Sequence, residues 1–298
     1  SGTIDSSFDA ATTQDANVSV TVAGSASVAQ AYTISEASTG TIQFTNGITD
    51  VAAAMSNTLG KIETKFGTAT TDDTDVAITV SDTLNVEQAK TIAEASIGTI
   101  NFAHADGIVD TAANLALTNG TIDPSLTAAT GSGGDDSTAI TITTAANVAQ
   151  AAIIAARSSG EIDFQAGIQD NVLAMSEVDG SIKNAFNTAT QDDINAAIIV
   201  LDVANVEQAK TIAEASLGAI DFRLGIEDSA ANLALANGTI DDSLKAATAV
   251  TGDSDVDIKV TTAANVAQAS TIAKASTGTI DFAAGIEDTA DSMAAATT

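Results

Sequence analysis

The stretch Asn85-Val-Glu-Gln-Ala-Lys-Thr-Ile-Ala-Glu-Ala-Ser96 recurs letter for letter from Asn205 to Ser216. Looser copies begin at Ser27, Asn147 and Asn265. Each copy runs into a glycine and a short apolar strand pattern: Gly40-Thr-Ile-Gln-Phe44, Gly98-Thr-Ile-Asn-Phe102, Gly160-Glu-Ile-Asp-Phe164, Gly218-Ala-Ile-Asp-Phe222 and Gly278-Thr-Ile-Asp-Phe282. A chain of about five units of roughly 60 residues folds by stacking, because no such unit can bury its apolar face alone. A single continuous array is therefore expected over residues 1–298. It divides into a partial unit 1–17, units 18–75, 76–138, 139–195 and 196–255, and a partial unit 256–298.

Within a unit the period of the apolar residues changes. Val18-Ser-Val-Thr-Val22 alternates as a strand does, and so do its counterparts at 76–80, 139–142, 197–200 and 256–260. A helix follows, opened by Ser or Asn with Gln three positions later: Ser27/Gln30, Asn85/Gln88, Asn147/Gln150, Asn205/Gln208 and Asn265/Gln268. That spacing predicts a capping box. Val86, Ala89, Ile92 and Ala93 then share one face. The glycines at 40, 98, 160, 218 and 278 suit the left-handed position that ends a helix. After the Ile-x-Phe strand comes Gly-Ile-x-Asp, with Asp50, Asp110, Asp170, Asp228 and Asp288 expected to N-cap a short Ala-rich helix.

Fifteen strand centres are predicted: Ile4, Val20, Ile42, Ile62, Ile78, Ile100, Ile122, Ile140, Ile162, Ile182, Ile198, Ile220, Ile240, Ile258 and Ile280, spaced 16 to 22 residues apart. Strands alternating with helices at that spacing must run parallel. Their crossovers are expected to be right-handed. The expected fold is α/β: a right-handed repeat solenoid with a parallel β-sheet on one face and short helices on the other, in a leucine-rich-repeat-like layout. At about 4.8 Å per strand the sheet would run about 70 Å. Units also alternate. Thr143 to Ala151 equals Thr261 to Ala269, and Met55, Met175 and Met293 share one place in alternate units, with Leu115 and Leu233 at nearby places in the others.

Acidic residues outnumber basic ones 39 to 10, a net charge of −29 that argues against nucleic acid and anionic membranes. The chain lacks Cys, which excludes disulfides and thiolate chemistry. No apolar run is long enough for a membrane span, and no signal-peptide pattern opens the chain. Ser1-Gly-Thr-Ile-Asp5 matches Asn237-Gly-Thr-Ile-Asp241 in phase, so the chain is expected to be cut or processed from a longer array. Neither Ser1-Gly-Thr-Ile nor Met293-Ala-Ala-Ala-Thr-Thr298 reads as a polar cap.

Asn147-Val-Ala-Gln-Ala151 and Ile226-Glu-Asp-Ser-Ala-Ala-Asn-Leu233, with their copies, resemble strand-helix repeats of very large secreted proteins of cyanobacteria and marine bacteria. Those repeats often stand beside haemolysin-type calcium-binding repeats. The resemblance covers essentially the whole chain and implies a cell-surface or extracellular role. The glycine-rich calcium nonapeptide itself is absent; Gly131-Ser-Gly-Gly-Asp-Asp136 is one short fragment.

Catalytic sets are hard to assemble. The single His104 has no counterpart in other units, no Gly-x-Ser-x-Gly elbow is present, and the carboxylates recur rather than converge. The best functional candidates are acid clusters before the first strand of a unit: Asp72, Asp73 and Asp75; Asp135 and Asp136; Asp192 and Asp193; Asp253 and Asp255; with Asp15 alone in the first. Stacked along one edge, these oxygens could take Ca²⁺. The alternative is a solvated acidic loop that keeps an open edge from aggregating. The expected function is a non-enzymatic structural protein, a segment of an extracellular fibre, surface layer or adhesin stalk that associates with itself or with neighbouring repeats. The other reading is a calcium-dependent adhesin or ligand-binding module, for which Tyr32, His104, Arg157 and Arg223 are the residues that break the repeat.

Overall fold

Every strand in the described residues is three residues long, and no helix exceeds ten. Elements that short are unstable alone and persist only by packing on their neighbours. The computed structural model describes residues 3–249 and 251–294; Ser1, Gly2 and Ala295 to Thr298, where uncapped ends were read, lie outside them. The chain forms two compact units, Ser1–Thr143 with Ala156–Asp163, and Thr144–Ala155 with Phe164–Thr298. Each is a mixed α/β arrangement in which groups of short parallel strands alternate with helices.

In the first unit, Val20–Val22 pairs with Ile42–Phe44, and Ile48–Asp50, Ile78–Val80 and Ile100–Phe102 form a three-stranded group. Ile108–Asp110 pairs with Ile140–Ile142. In the second unit the groups are Ile168–Asp170, Ile198–Val200 and Ile220–Phe222, then Ile226–Asp228, Ile258–Val260 and Ile280–Phe282. All these pairs are parallel, and all but the first, where Val20 lies on Ile42, set isoleucine on isoleucine: Ile48 on Ile78 on Ile100, and Ile168 on Ile198 on Ile220. The stacked branched side chains are buried and form the spine of each unit.

Four of the five Gly-Ile-x-Asp segments end in strands, Ile48–Asp50, Ile108–Asp110, Ile168–Asp170 and Ile226–Asp228, and are not the helix entries that the sequence suggested; in the fifth, Ile286 makes a single bridge to Ala264. The N-cap position falls one residue later, at Val51, Thr111, Asn171, Ser229 and Thr289. Conversely, the strand centres expected at Ile62, Ile122, Ile182 and Ile240 make only single antiparallel bridges, to Ser56, Ala116, Ser176 and Ala234; Ile4 lies in no strand. A tight turn ending on a left-handed glycine, such as Gly60 (φ 71°) or Gly120 (φ 79°), reverses the chain there. A Gly-x-Ile triplet reads the same before a strand and after such a turn.

The capping boxes form as the spacing predicts. Asn85 Oδ1 accepts the Gln88 amide at 2.9 Å while Gln88 Oε1 accepts the Asn85 amide at 3.2 Å, and the other four pairs repeat this exchange. Helix Val86–Glu94 buries Val86, Ala89, Ile92 and Ala93 as expected. It packs on Pro124–Thr130, and in the second unit Val206–Ala215 packs on Asp242–Ala247.

The glycines at 40, 98, 160, 218 and 278 are not left-handed. They are needed for space. A Cβ on Gly98 would lie 2.3 Å from the Asp75 carbonyl oxygen, and one on Gly218 would lie 2.3 Å from that of Asn195. The serine two residues earlier fixes this close approach. Ser96 Oγ donates to the Val76 carbonyl at 2.6 Å and accepts the Gly98 amide at 3.0 Å.

The two-unit alternation has a packing counterpart. Repeats with Met55 or Met175 carry Phe66 or Phe186 on the next helix, and repeats with Leu115 or Leu233 carry Leu126 or Leu244; all eight are fully buried. A pliable Met accompanies the larger ring, and Leu accompanies Leu, so each layer is filled without strain.

Candidate functional site

Aspartate is the residue that ties one strand layer to the next. Asp50 ends its strand with Oδ2 on the Val28 amide at 3.0 Å and Oδ1 on the Val51 amide at 2.9 Å. Asp110, Asp170, Asp228 and Asp288 do the same for Val86, Val148, Val206 and Val266. Each of those valines opens a capping-box helix, where the first amides have no partner inside the helix. The carboxylate also places negative charge at the positive end of the helix dipole. The short helices are treated alike: Asp82 accepts the Ala52 amide, Asp202 the Val172 amide, and Thr262 Oγ1 the Ala230 amide.

The acid clusters divide by role. Asp73, Asp135, Asp193 and Asp253 each present Oδ2 to the backbone amide of the Phe in an Ile-x-Phe strand, Phe44, Phe102, Phe164 and Phe222, at 2.6 to 2.9 Å. Their Oδ1 atoms turn the local chain: Asp135 holds the Ser137 amide, Asp193 that of Asn195 and Asp253 that of Asp255. Asp73, Asp135 and Asp253 are buried. Of their exposed neighbours, Asp72 and Asp192 end the preceding helices, while Asp75, Asp136 and Asp255 lie in the loops. Asp15 makes the turn, to the Asn17 amide at 3.2 Å, but meets no strand amide among the described residues. What the clusters do locally is hold strands, a role that the bare sequence Asp-Asp-x-Asp does not announce.

Burial has an electrostatic consequence. It raises Asp253 to about 6, helped by Asp255 beside it and opposed by the Phe222 amide. Asp73 is raised by burial and by Asp75 in the same way. Asp288, in the open, is held below the usual carboxylate value by the Thr289 amide and then by the Val266 amide. Asp221, Arg223, Asp253, Asp255 and Asp257 line one open pocket of about 410 Å³. Among the described residues, no group of three or more His, Cys, Asp or Glu is placed to hold a metal ion. In Asp73, Asp135, Asp193 and Asp253 the carboxylate oxygens are aimed at backbone amides.

The residues that break the repeat each make local contacts. Lys65 Nζ lies 5.8 Å from the centre of the Tyr32 ring. His104 Nδ1 accepts the Asp106 amide at 3.1 Å and lies 3.6 Å from its carboxylate. Arg157 donates to the Thr127 carbonyl at 3.1 Å, and Arg223 to Asp221 at 3.4 Å. Among the described residues, no helix is long and apolar enough to cross a membrane. Compared with known proteins, the chain matches no family model, no curated protein and no solved structure.

Proposed function

We propose that this chain is a non-enzymatic structural protein: a right-handed solenoid segment of a fibre, surface layer or adhesin stalk outside the cell, associating end to end. The observation that carries this reading is the recurrence of one bond. The same aspartate-to-phenylalanine-amide contact appears at Asp73, Asp135, Asp193 and Asp253, so the acids are spent on joining layers. An array specified by repeated contacts of one kind extends in one direction. The extracellular placement rests on the resemblance to large secreted repeat proteins. Negative-stain electron microscopy of the purified chain in millimolar Ca²⁺ tests the reading. Long uniform fibres or a lattice are expected; discrete particles of one length at every concentration would overturn it.

A second reading, a calcium-dependent adhesin or ligand-binding module, draws on the pocket around Asp253, Asp255, Asp257 and Asp221. Crowded carboxylates gain from a hard cation. Calcium would then raise the melting temperature and a chelator would lower it, whereas an unchanged melt removes this reading.

A further inference from the structure

Three Asn-x-Ser/Thr triplets occur in the chain: Asn17-Val-Ser19, Asn119-Gly-Thr121 and Asn237-Gly-Thr239. N-linked glycan transfer needs this pattern, a carboxamide to carry the sugar and a hydroxyl two residues on. The fold treats the three differently.

Asn119 and Asn237 stand in exposed turns at the same place in alternate repeats. Asn119 Oδ1 accepts the Thr121 amide at 3.0 Å, and Asn237 Oδ1 accepts the Thr239 amide at 3.0 Å. Each side chain is thus fixed by its oxygen. Its Nδ2 makes no hydrogen bond among the described residues, and neither does the threonine hydroxyl. Both groups that a transferase must reach are presented together on one exposed turn.

The turn itself asks for neither group. Before Gly180 the same position is Asp179, whose Oδ1 takes the Ser181 amide at 3.0 Å, so a carboxylate closes the turn as a carboxamide does. Before Gly60 it is Leu59, and Asn57 Oδ1 holds the Leu59 and Lys61 amides instead. The rival chemistry of an Asn-Gly pair is attack by the glycine amide on the asparagine side chain, with loss of ammonia. Here the Gly120 and Gly238 amides are engaged by the Leu117 and Leu235 carbonyls at 2.9 and 2.8 Å.

Asn17 is the contrast. Its Oδ1 accepts the Thr39 hydroxyl at 2.6 Å, and a Cβ on Gly40 would lie 2.3 Å from its carbonyl oxygen. Ser19 leads directly into the strand Val20–Val22. This triplet is clamped against the next layer.

We propose that Asn119 and Asn237 are acceptors for an N-linked glycan donated by a polyprenyl-pyrophosphate-linked sugar. Nδ2 bonds to the anomeric carbon, the bond from that carbon to the pyrophosphate oxygen breaks, the lipid pyrophosphate leaves, and a base of the transferase takes the Nδ2 proton. The proposal rests on the extracellular placement proposed above. The sugars stand beside Leu117 and Leu235, exposed apolar residues of the same turns.

Glycopeptide mass spectrometry of the full chain, purified from the cells that make it, tests the assignment. Sugar is expected on Asn119 and Asn237 and not on Asn17. Asn119→Asp keeps an acceptor for the Thr121 amide, as Asp179 does for Ser181, and should lose the sugar at that position alone. Thr121→Ala should lose it too; sugar retained there would overturn the role of the triplet. Protease shaving of intact cells reports where the chain lies. Bare Asn119 and Asn237 on a chain exposed at the cell surface would overturn the acceptor sites and leave the structural reading standing. A bare chain protected inside the cell would overturn both the sites and the extracellular placement.

Discussion

Asp253 Oδ2 accepts the Phe222 amide at 2.8 Å across 31 residues of chain, and the carboxyl that makes this bond is pushed up to about 6. Folding therefore raises the proton affinity of Asp253 above its value of 3.8 in the open chain. The ionised form is what folding disfavours. Stability should rise as pH falls through 6, with the gain complete below about 4 and worth about 3 kcal/mol at most. Asp288, shifted the other way, loses its contribution only below its usual carboxylate value. The expected result is a melting temperature roughly 5 °C higher at pH 4.5 than at pH 7. Asp253→Asn keeps an acceptor for the Phe222 amide without the charge, so its melting temperature should vary less over this range. A wild-type melt that falls steadily from pH 7 to 5 would contradict the assignment.

Asp135 is the most heavily used of these carboxylates. Its oxygens accept the Phe102 amide at 2.9 Å, the Ser137 amide at 3.1 Å and Ser137 Oγ at 2.8 Å. Asp135→Ala leaves a buried strand amide unpaired and should cost about 1–3 kcal/mol in urea unfolding. Asp135→Asn should cost less than half of that. Equal losses would mean that the charge, not the acceptor, matters.

Two glycines give opposite outcomes for one substitution. Gly98→Ala forces a Cβ against backbone oxygens of the adjoining layer, which cannot swing aside as a side chain could. Expression or thermal stability should fall sharply, by several kcal/mol, roughly the scale of severe overpacking. Gly133→Ala meets nothing within 4 Å and needs no left-handed backbone. It should be neutral or stabilise by about 0.5 kcal/mol through the unfolded chain.

Helix Val206–Ala215 is capped from two directions, by Asn205 on the Gln208 amide at 2.9 Å and by Asp228 on the Val206 amide at 3.2 Å. Asn205→Ala should cost about 1 kcal/mol. Hydrogen exchange should quicken at the Gln208 amide in that variant and at the Val206 amide in Asp228→Ala. Exchange that quickens equally at both amides in either variant would show that the caps act as one unit.

The repeat, the strand–helix alternation and the capping boxes were legible because each is a local pattern with a physical period. Asn85 and Gln88 lie three apart whatever surrounds them. The role of Asp110 was not legible, because its partner is the Val86 amide, 24 residues back, and a backbone amide leaves no mark in a sequence. The bond from the Phe102 amide to Asp135 was not legible either, since an aspartate aimed at an amide and one aimed at a cation look alike in a row of letters. The glycine at 98 was noticed for the wrong reason. Left-handed backbone and close approach both demand a missing Cβ, and only the neighbouring Asp75 carbonyl separates them.

Because the Asp73 and Asp50 bonds end on main-chain amides, they are blind to the identity of the residue they hold. These bonds by themselves ask for no matching change in the neighbouring repeat. The copy number of such a gene can drift by whole blocks through unequal recombination, each insertion arriving with its joints already made.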